Sequence, residues 1–528
     1  MNSSQTNISN SADPKKDSRQ MNLTATESVK QGDVVQERNI TYNEADLRRK
    51  LASRHLMMLV IGGVIGPGYF VGMGNGLSQA GPAGILLCFG IIGTILWAVM
   101  QSLGELGSFI PVSGSFVHYS ARFIDPALGF SLGWNYWFLW AGIIMAEYNN
   151  LGLVLTYWDT PVPRWAWILM FWVFFMAFQF LGIASFGEAE FWLALAKVVS
   201  IAAFFLCAIL ISTGVIGGET IGFKFYHDPG AFADGIKGVF KVFVFAALQY
   251  SGSEMVGLTA GESANPAKDV PKAVKSVIWR ILFIFLGGIF FLTITVPSND
   301  PNLLSPKSKT AASPFVIAFT RVGATSGAHA INAIIVITIL SAVNSAIYVG
   351  SRTLVGLASQ GQAPKIFAKT NGRGVPVWSC VFMNLIGFLS LLNLSSGAGK
   401  LYSWIVSMTG VATFITWACI CAAQIRFRQA LHQQGMSEEV LPFKVNKWVS
   451  WFGLVTNLFF IIFQGWTAFA PWDIEAFFQN YVILLAFVIL YLSWKFYHKT
   501  EWVNPKMADL ISNRRDLEVV EEPVVQGQ

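Results

Sequence analysis

Three ionisable residues sit deep within apolar sequence, and their types define the chemistry open to this chain. Glu254 follows the run Ser251-Gly252-Ser253, Glu147 follows Trp140-Ala141-Gly142-Ile143-Ile144-Met145-Ala146, and Lys197 lies in Ala194-Leu195-Ala196-Lys197-Val198-Val199. A charge inside a membrane is costly and by default marks an ion, proton or ligand path. Glu254 is a candidate proton carrier or counter-ion for a cation; its structural alternative is a hydrogen-bonding staple for the unwound chain beside it. Tyr136, Trp140 and Glu147 share one helical face at i, i+4 and i+11, and aromatic rings beside a carboxylate make a wall that favours cations. The plain alternative for Glu147 is a hydrogen bond to a neighbouring helix. Lys197 is a group that titrates when buried or stands where a cation would otherwise bind; the alternative is a snorkelling interfacial lysine. Glu105 reads as structural. Ser407 and Thr409, before Gly410, are pocket candidates whose hydroxyls also suit backbone bonds.

The elements that must position these groups are interrupted helices. The first apolar segment, from Leu56, is broken by Ile61-Gly62-Gly63-Val64-Ile65-Gly66-Pro67-Gly68. Glycine weakens helix propensity, and Pro67 removes a backbone donor. Freed backbone groups at membrane depth are tolerated only against protein or a water-filled cavity, and such breaks characterise secondary transporters. Unwound N–H groups at the start of a half-helix favour a carboxylate, while free carbonyls favour an ammonium. Ile65, Gly66, Gly68 and Tyr69 are therefore candidate substrate contacts for a molecule carrying both charges, such as an α-amino acid. A second break at Tyr250-Ser251-Gly252-Ser253 lies five spans later, where an inverted repeat would place it. Gly257 and Gly261 also fit plain helix–helix contact.

Composition assigns these helices to a bilayer. Hydrophobic residues make up 54% of the 528 and charged ones 12%, with mean hydropathy +0.52; soluble domains carry about 25% charged residues. Apolar windows of spanning length recur near 56–78, 83–106, 129–156, 165–185, 190–213, 241–262, 275–297, 328–357, 377–395, 401–424, 449–470 and 479–497. The fold class expected is all-α integral membrane with about twelve transmembrane helices. Basic residues collect on alternate connections: the N-terminal tail, then Lys268, Lys272, Lys275 and Arg280 after span six, Lys365, Lys369 and Arg373 after span eight, and Arg426, Arg428, Lys444 and Lys447 after span ten. The positive-inside rule then places both termini in the cytoplasm, and the net charge of +6 is a topology signal rather than a nucleic-acid footprint. Residues 1–50 read as a disordered cytoplasmic tail without a cleavable signal peptide, 51–425 as the transport core, 426–497 as two further helices and 498–528 as a second tail. The tails suit trafficking or ubiquitination machinery as partners. All five cysteines lie in apolar runs, which suggests no disulfide framework. No nucleotide loop, metal cluster or nucleophile–base pair appears, so no cofactor is expected and enzyme activity is not.

Several stretches carry a family resemblance: Arg54-His55-Leu56 leading into Gly62-Gly63-Val64-Ile65-Gly66, Ala80-Gly81-Pro82-Ala83-Gly84, Leu103-Gly104-Glu105-Leu106, Pro111-Val112-Ser113-Gly114-Ser115-Phe116, Phe123-Ile124-Asp125-Pro126-Ala127-Leu128-Gly129-Phe130, Gly261-Glu262-Ser263-Ala264-Asn265-Pro266, Tyr348-Val349-Gly350-Ser351-Arg352 and Leu441-Pro442-Phe443. Over roughly residues 45–505 the chain resembles the fungal amino acid permeases of the amino acid–polyamine–organocation superfamily. The resemblance implies a plasma-membrane, proton-coupled amino acid importer. Its core would be a 5+5 inverted repeat with discontinuous helices one and six, followed by two extra helices. Substrate would lie between the two breaks, flanked by helices three, eight and ten. It implies that Lys197 takes the place of a sodium ion and that Glu147 and Glu254 match the family's glutamates on helices three and six. Many relatives carry Thr or Ala where this chain has Pro67. Gln464-Gly465-Trp466-Thr467-Ala468-Phe469-Ala470-Pro471 is similar to the basic-amino-acid branch, which leans the substrate toward basic amino acids. A broad-range or neutral permease, and an amino acid sensor with little transport, are the alternatives.

Overall fold

Apolar sequence of this length can satisfy its backbone inside lipid only by coiling, and the computed structural model is helical throughout. It describes residues 65–514 apart from 67, 113, 159, 182, 261, 262, 264, 304–312, 373, 395–398 and 470. Pro67, both tails as far as 64 and from 515, Gly261, and the start of the first span lie outside the described residues. Among those described there is no strand, only an isolated bridge between Phe469 and Trp472.

The helices are α1 Met73–Phe109, α2 Ser115–Phe123, α3 Pro126–Leu155, α4 Arg164–Phe178, α5 Ile183–Ser212, α6 Gly235–Tyr250, α7 Met255–Ala260, α8 Pro266–Trp279, α9 Gly288–Thr293, α10 Pro314–Arg321, α11 Thr325–Ser359, α12 Val377–Ile386, α13 Gly399–Gln433, α14 Lys447–Phe463 and α15 Ile474–His498. A π-helical turn, Gly68–Gly72, leads into α1, and another, Arg280–Gly287, joins α8 to α9. Eight stretches among the described residues are long and apolar enough to span a bilayer, and two shorter apolar helices accompany them. The first stretch, Gly68–Phe109, has 42 residues, about 63 Å at 1.5 Å per residue and so about twice the hydrocarbon thickness. It breaks at Gly81 (φ 77°, ψ 172°) before Pro82, between the expected windows one and two. A Cβ at Gly81 would lie 2.6 Å from the Ala233 nitrogen, so this corner needs glycine for space as well as for φ.

Helix limits differ from the hydropathy windows because caps, not apolarity, end a helix. The Asp125 carboxylate accepts the Ala127 N–H (2.9 Å) and opens α3 with Pro126 in its first turn. The stretch around α8 begins at Pro266 rather than 275, since Lys268, Lys272 and Lys275 ride the exposed side of its amphipathic first turns. α13 runs nine residues past its window because Gln424, Arg426 and Arg428 continue the helix while bonding to other parts of the fold. Glu105 has the structural role expected, accepting from Gln424 (2.7 Å), Arg428 and the Val445 N–H (2.8 Å).

The core is formed by α3 packed on α11 and α13, with α1 against α6. Side chains on α14 and α15 such as Trp448, Val455, Ile489 and Phe496 face outward, as a lipid-facing rim requires.

Candidate functional site

Both expected interruptions meet at one place. Ile65 and Gly66 are non-helical, and the chain re-enters helix through Gly68–Gly72, with the Tyr69 N–H bonded to the Gly66 carbonyl at 3.1 Å. The second interruption separates α6 from α7. Ser251 is extended (φ −61°, ψ 155°) and Gly252 has φ 87°, a left-handed conformation that suits glycine. The carbonyls that α6 leaves at its end are met locally: Ser251 Oγ donates to Leu248 O (2.8 Å) and Ser253 Oγ to Tyr250 O (2.6 Å). The Gly252 N–H donates to Glu254 Oε1 at 3.0 Å, so the carboxylate satisfies an amide freed by the break. Trp417 Nε1 donates to Glu254 Oε2 at 3.3 Å, and the buried Tyr136 hydroxyl lies near this carboxylate without an ordinary hydrogen bond to it.

Between the breaks is a cavity of about 240 Å³, somewhat smaller than the roughly 300–1,000 Å³ sites that hold drug-sized ligands. Gly66, Gly68 and Gly72 form one wall, Trp140, Glu147 and Asn150 of α3 another, and Phe245, Gln249 and Ser251 a third; Ala342 of α11 and Thr409 of α13 complete it. Among the described residues Glu147 is the sole charged one in this lining, and its Oε2 has no hydrogen-bond partner. The Trp140 indole N–H is likewise unpartnered. Such a cavity can take a small polar ligand with a cationic group against Glu147 and Trp140.

Of the residues expected at the site, Gly66, Gly68, Trp140, Glu147, Ser251 and Thr409 line the cavity. Tyr69 and Tyr250 do not: their hydroxyls donate to Ile284 O (2.7 Å) and Phe89 O (3.1 Å), and both rings pack on Phe285. Ile65 is buried and is not part of the lining. Gly252, Ser253 and Glu254 stand behind the wall as the frame of the break. Lys197 belongs to a separate buried group, donating to Ser341 Oγ at 2.6 Å with Glu190 Oε1 at 3.8 Å, and it feels the charge of Glu147 as well.

Two further residues line the cavity without having been singled out, and two more stand outside it among its neighbours. Gln249 and Asn150 line the cavity, one helical turn or less from Ser251 and Glu147; that spacing was their available signal. Glu190 partners Lys197 at i−7 on α5. Arg280 corrects the charge count made from sequence: it is not a loop cation but is 2% exposed in the π-helical turn and donates to Ser253 Oγ.

Known proteins match this chain over most of its length. The family model described as amino acid permease matches residues 55–504. The chain is 42% identical to the general amino acid permease AGP3 of Saccharomyces cerevisiae over 85% of this chain and 81% of that protein. It is 37% identical to the lysine-specific permease of the same yeast (91% and 80% covered) and 36% identical to its basic amino-acid permease (90% and 85%).

Proposed function

The chain belongs to the amino acid permease family, and from that premise we propose that it imports amino acids together with protons across the plasma membrane, basic amino acids preferred. The observation that carries the substrate reading is the Glu147 carboxylate, the one charge among the described residues of the cavity wall, with an unpartnered oxygen and Trp140 in the same lining. A lysine or arginine side chain would supply its cation, while the glycine-rich first break offers backbone N–H groups to the α-carboxylate. Relatives named lysine-specific and basic amino-acid permeases support this preference. The relative named a general permease supports a broader range as the second reading.

The proposed architecture is twelve spans with both termini cytoplasmic. Residues 51–425 form a 5+5 inverted-repeat core, in which the break before α1 and the break between α6 and α7 are counterparts, and 426–497 add two helices. Glu254 is the proposed proton carrier. It is fully buried and bonded to the Gly252 N–H, so protonating it would weaken the staple that shapes the second break. Substrate occupancy and proton occupancy would thereby act on the same backbone, and alternating access would proceed about it. Lys197 is proposed to share the coupling.

A competition panel tests the substrate reading: every common amino acid against uptake of labelled lysine in permease-deficient yeast cells. Inhibition by lysine and arginine well beyond that by leucine or phenylalanine is expected. Equal inhibition by all would replace it with the broad-range reading.

A further inference from the structure

We propose that Glu190 is the proton exit residue of this permease, receiving through Ser341 the proton that Lys197 releases; the inference rests on the proton-coupled reading above. The three side chains form one directed chain of hydrogen bonds. Lys197 Nζ donates to Ser341 Oγ at 2.6 Å, and Ser341 Oγ in turn donates to Glu190 Oε1 at 2.5 Å. All three are completely buried, so nothing dilutes the path with solvent. Lys197 and Glu190 are seven residues apart on α5, on the same face and about 10 Å apart along the axis. The charged atoms themselves lie 3.8 Å apart, and the relay carries the proton from Lys197 to the residue nearer the N-terminal end of α5.

The step balances as two short proton jumps. The Lys197 ammonium gives one N–H proton to Ser341 Oγ as the Ser341 hydroxyl proton passes to Glu190 Oε1. The products are a neutral amine, a re-formed hydroxyl and a neutral carboxylic acid. Glu190, closed to solvent in this conformation, loses its proton to water only when the alternating-access step opens the α5 N-terminal end, and becomes a carboxylate again. The charged groups facing Lys197 are Glu190 on its own helix and Glu147 on α3; from α11 the facing groups are the neutral Ser341 and, one turn on, Asn344. Glu190 Oε2 and Asn344 Nδ2 have no hydrogen-bond partners, and Asn344 Oδ1 accepts from Gln179 Nε2 at 3.1 Å. Asn344, one turn on from Ser341, thus links α11 to the turn that precedes α5. A purely structural ion pair requires neither the bridging hydroxyl nor this link.

The test uses the full chain, purified and reconstituted in liposomes containing a pH-sensitive dye, with labelled lysine and labelled leucine as separate probes. Wild-type protein, Glu190→Gln and Ser341→Ala are compared for substrate-driven proton entry, gradient-driven accumulation and exchange of internal for external amino acid. Loss of the relay should lower accumulation and proton entry at least about tenfold, with exchange falling far less. Wild-type coupling in Glu190→Gln overturns the proposal, and so does a parallel loss of exchange and accumulation, which assigns the pair to packing. If Glu190→Gln does not survive purification, Ser341→Ala decides, because it removes the bridge and leaves both charges; normal coupling there overturns the relay. Wild-type protein that accumulates neither probe with protons instead defeats the coupling reading itself.

Discussion

The side-chain amide of Gln249 occupies the space that a Cβ on Gly68 would need. Gly72, one turn on, stands in the same relation to Phe245, whose ring carbon would lie 2.6 Å from an added Cβ. The first break is thus shaped to let α6 approach its backbone, and the two half-sites meet where glycine leaves room for α6 side chains. Gly68→Ala should reduce uptake by about tenfold or more, since overpacking costs about 1–3 kcal/mol. Gly68→Ala combined with Gln249→Ala should recover part of the loss. Uptake kinetics of the two variants check this, and a double variant no better than the single one would deny the contact.

Glu254 holds the second break through the Gly252 N–H and takes a further bond from Trp417. Glu254→Gln keeps the shape and one acceptor but cannot carry a proton. It should abolish concentrative uptake while the protein still reaches the cell surface, measured by surface labelling beside transport. Normal accumulation by that variant would leave the carboxylate a staple only.

Glu147 separates basic from neutral substrates if its unpartnered oxygen meets a cationic side chain. Glu147→Gln should raise the KM for lysine by about tenfold, the loss of roughly one charge-assisted hydrogen bond, and that for leucine much less. Equal changes for both substrates would place Glu147 on the α-amino group instead.

His118 lies on α2, outside the spans, 4% exposed beside Arg122, which is paired with Asp509. Burial, then the Arg122 charge, push its imidazole down to about 3, with Asp509 opposing. The unfolded chain would bind a proton that the folded one refuses. Stability from this group is full above the unfolded value near 6.5 and declines as pH falls toward 3. The loss at pH 5 is about 2 kcal/mol. Thermal unfolding of the purified protein from neutral to acid pH should show a steeper decline than in His118→Gln; equal slopes would contradict it.

The breaks were legible because glycines cluster about a proline in one apolar segment and Ser-Gly-Ser-Glu interrupts another, and Glu147, Glu254 and Lys197 because charge in a membrane stands out. Their division of labour was not. Tyr69 looks like a site residue by position, yet its hydroxyl sits where a Cβ on Gly288 would be and bonds Ile284; only packing across 215 residues reveals that. Arg280 follows lysines in a basic run, and its burial depends on α8 continuing through a π-helical turn. Glu190 reads as the polar start of a span until Ser341 of α11 closes it onto Lys197. Pairings of that kind arise between helices and leave no spacing in the chain.

Proton coupling at the paired breaks is tested by uptake of labelled lysine in permease-deficient cells. Initial rates are compared at acid and neutral external pH, with and without a protonophore. Uptake should rise as the medium is acidified and collapse when the protonophore is added. Accumulation indifferent to both would contradict that coupling.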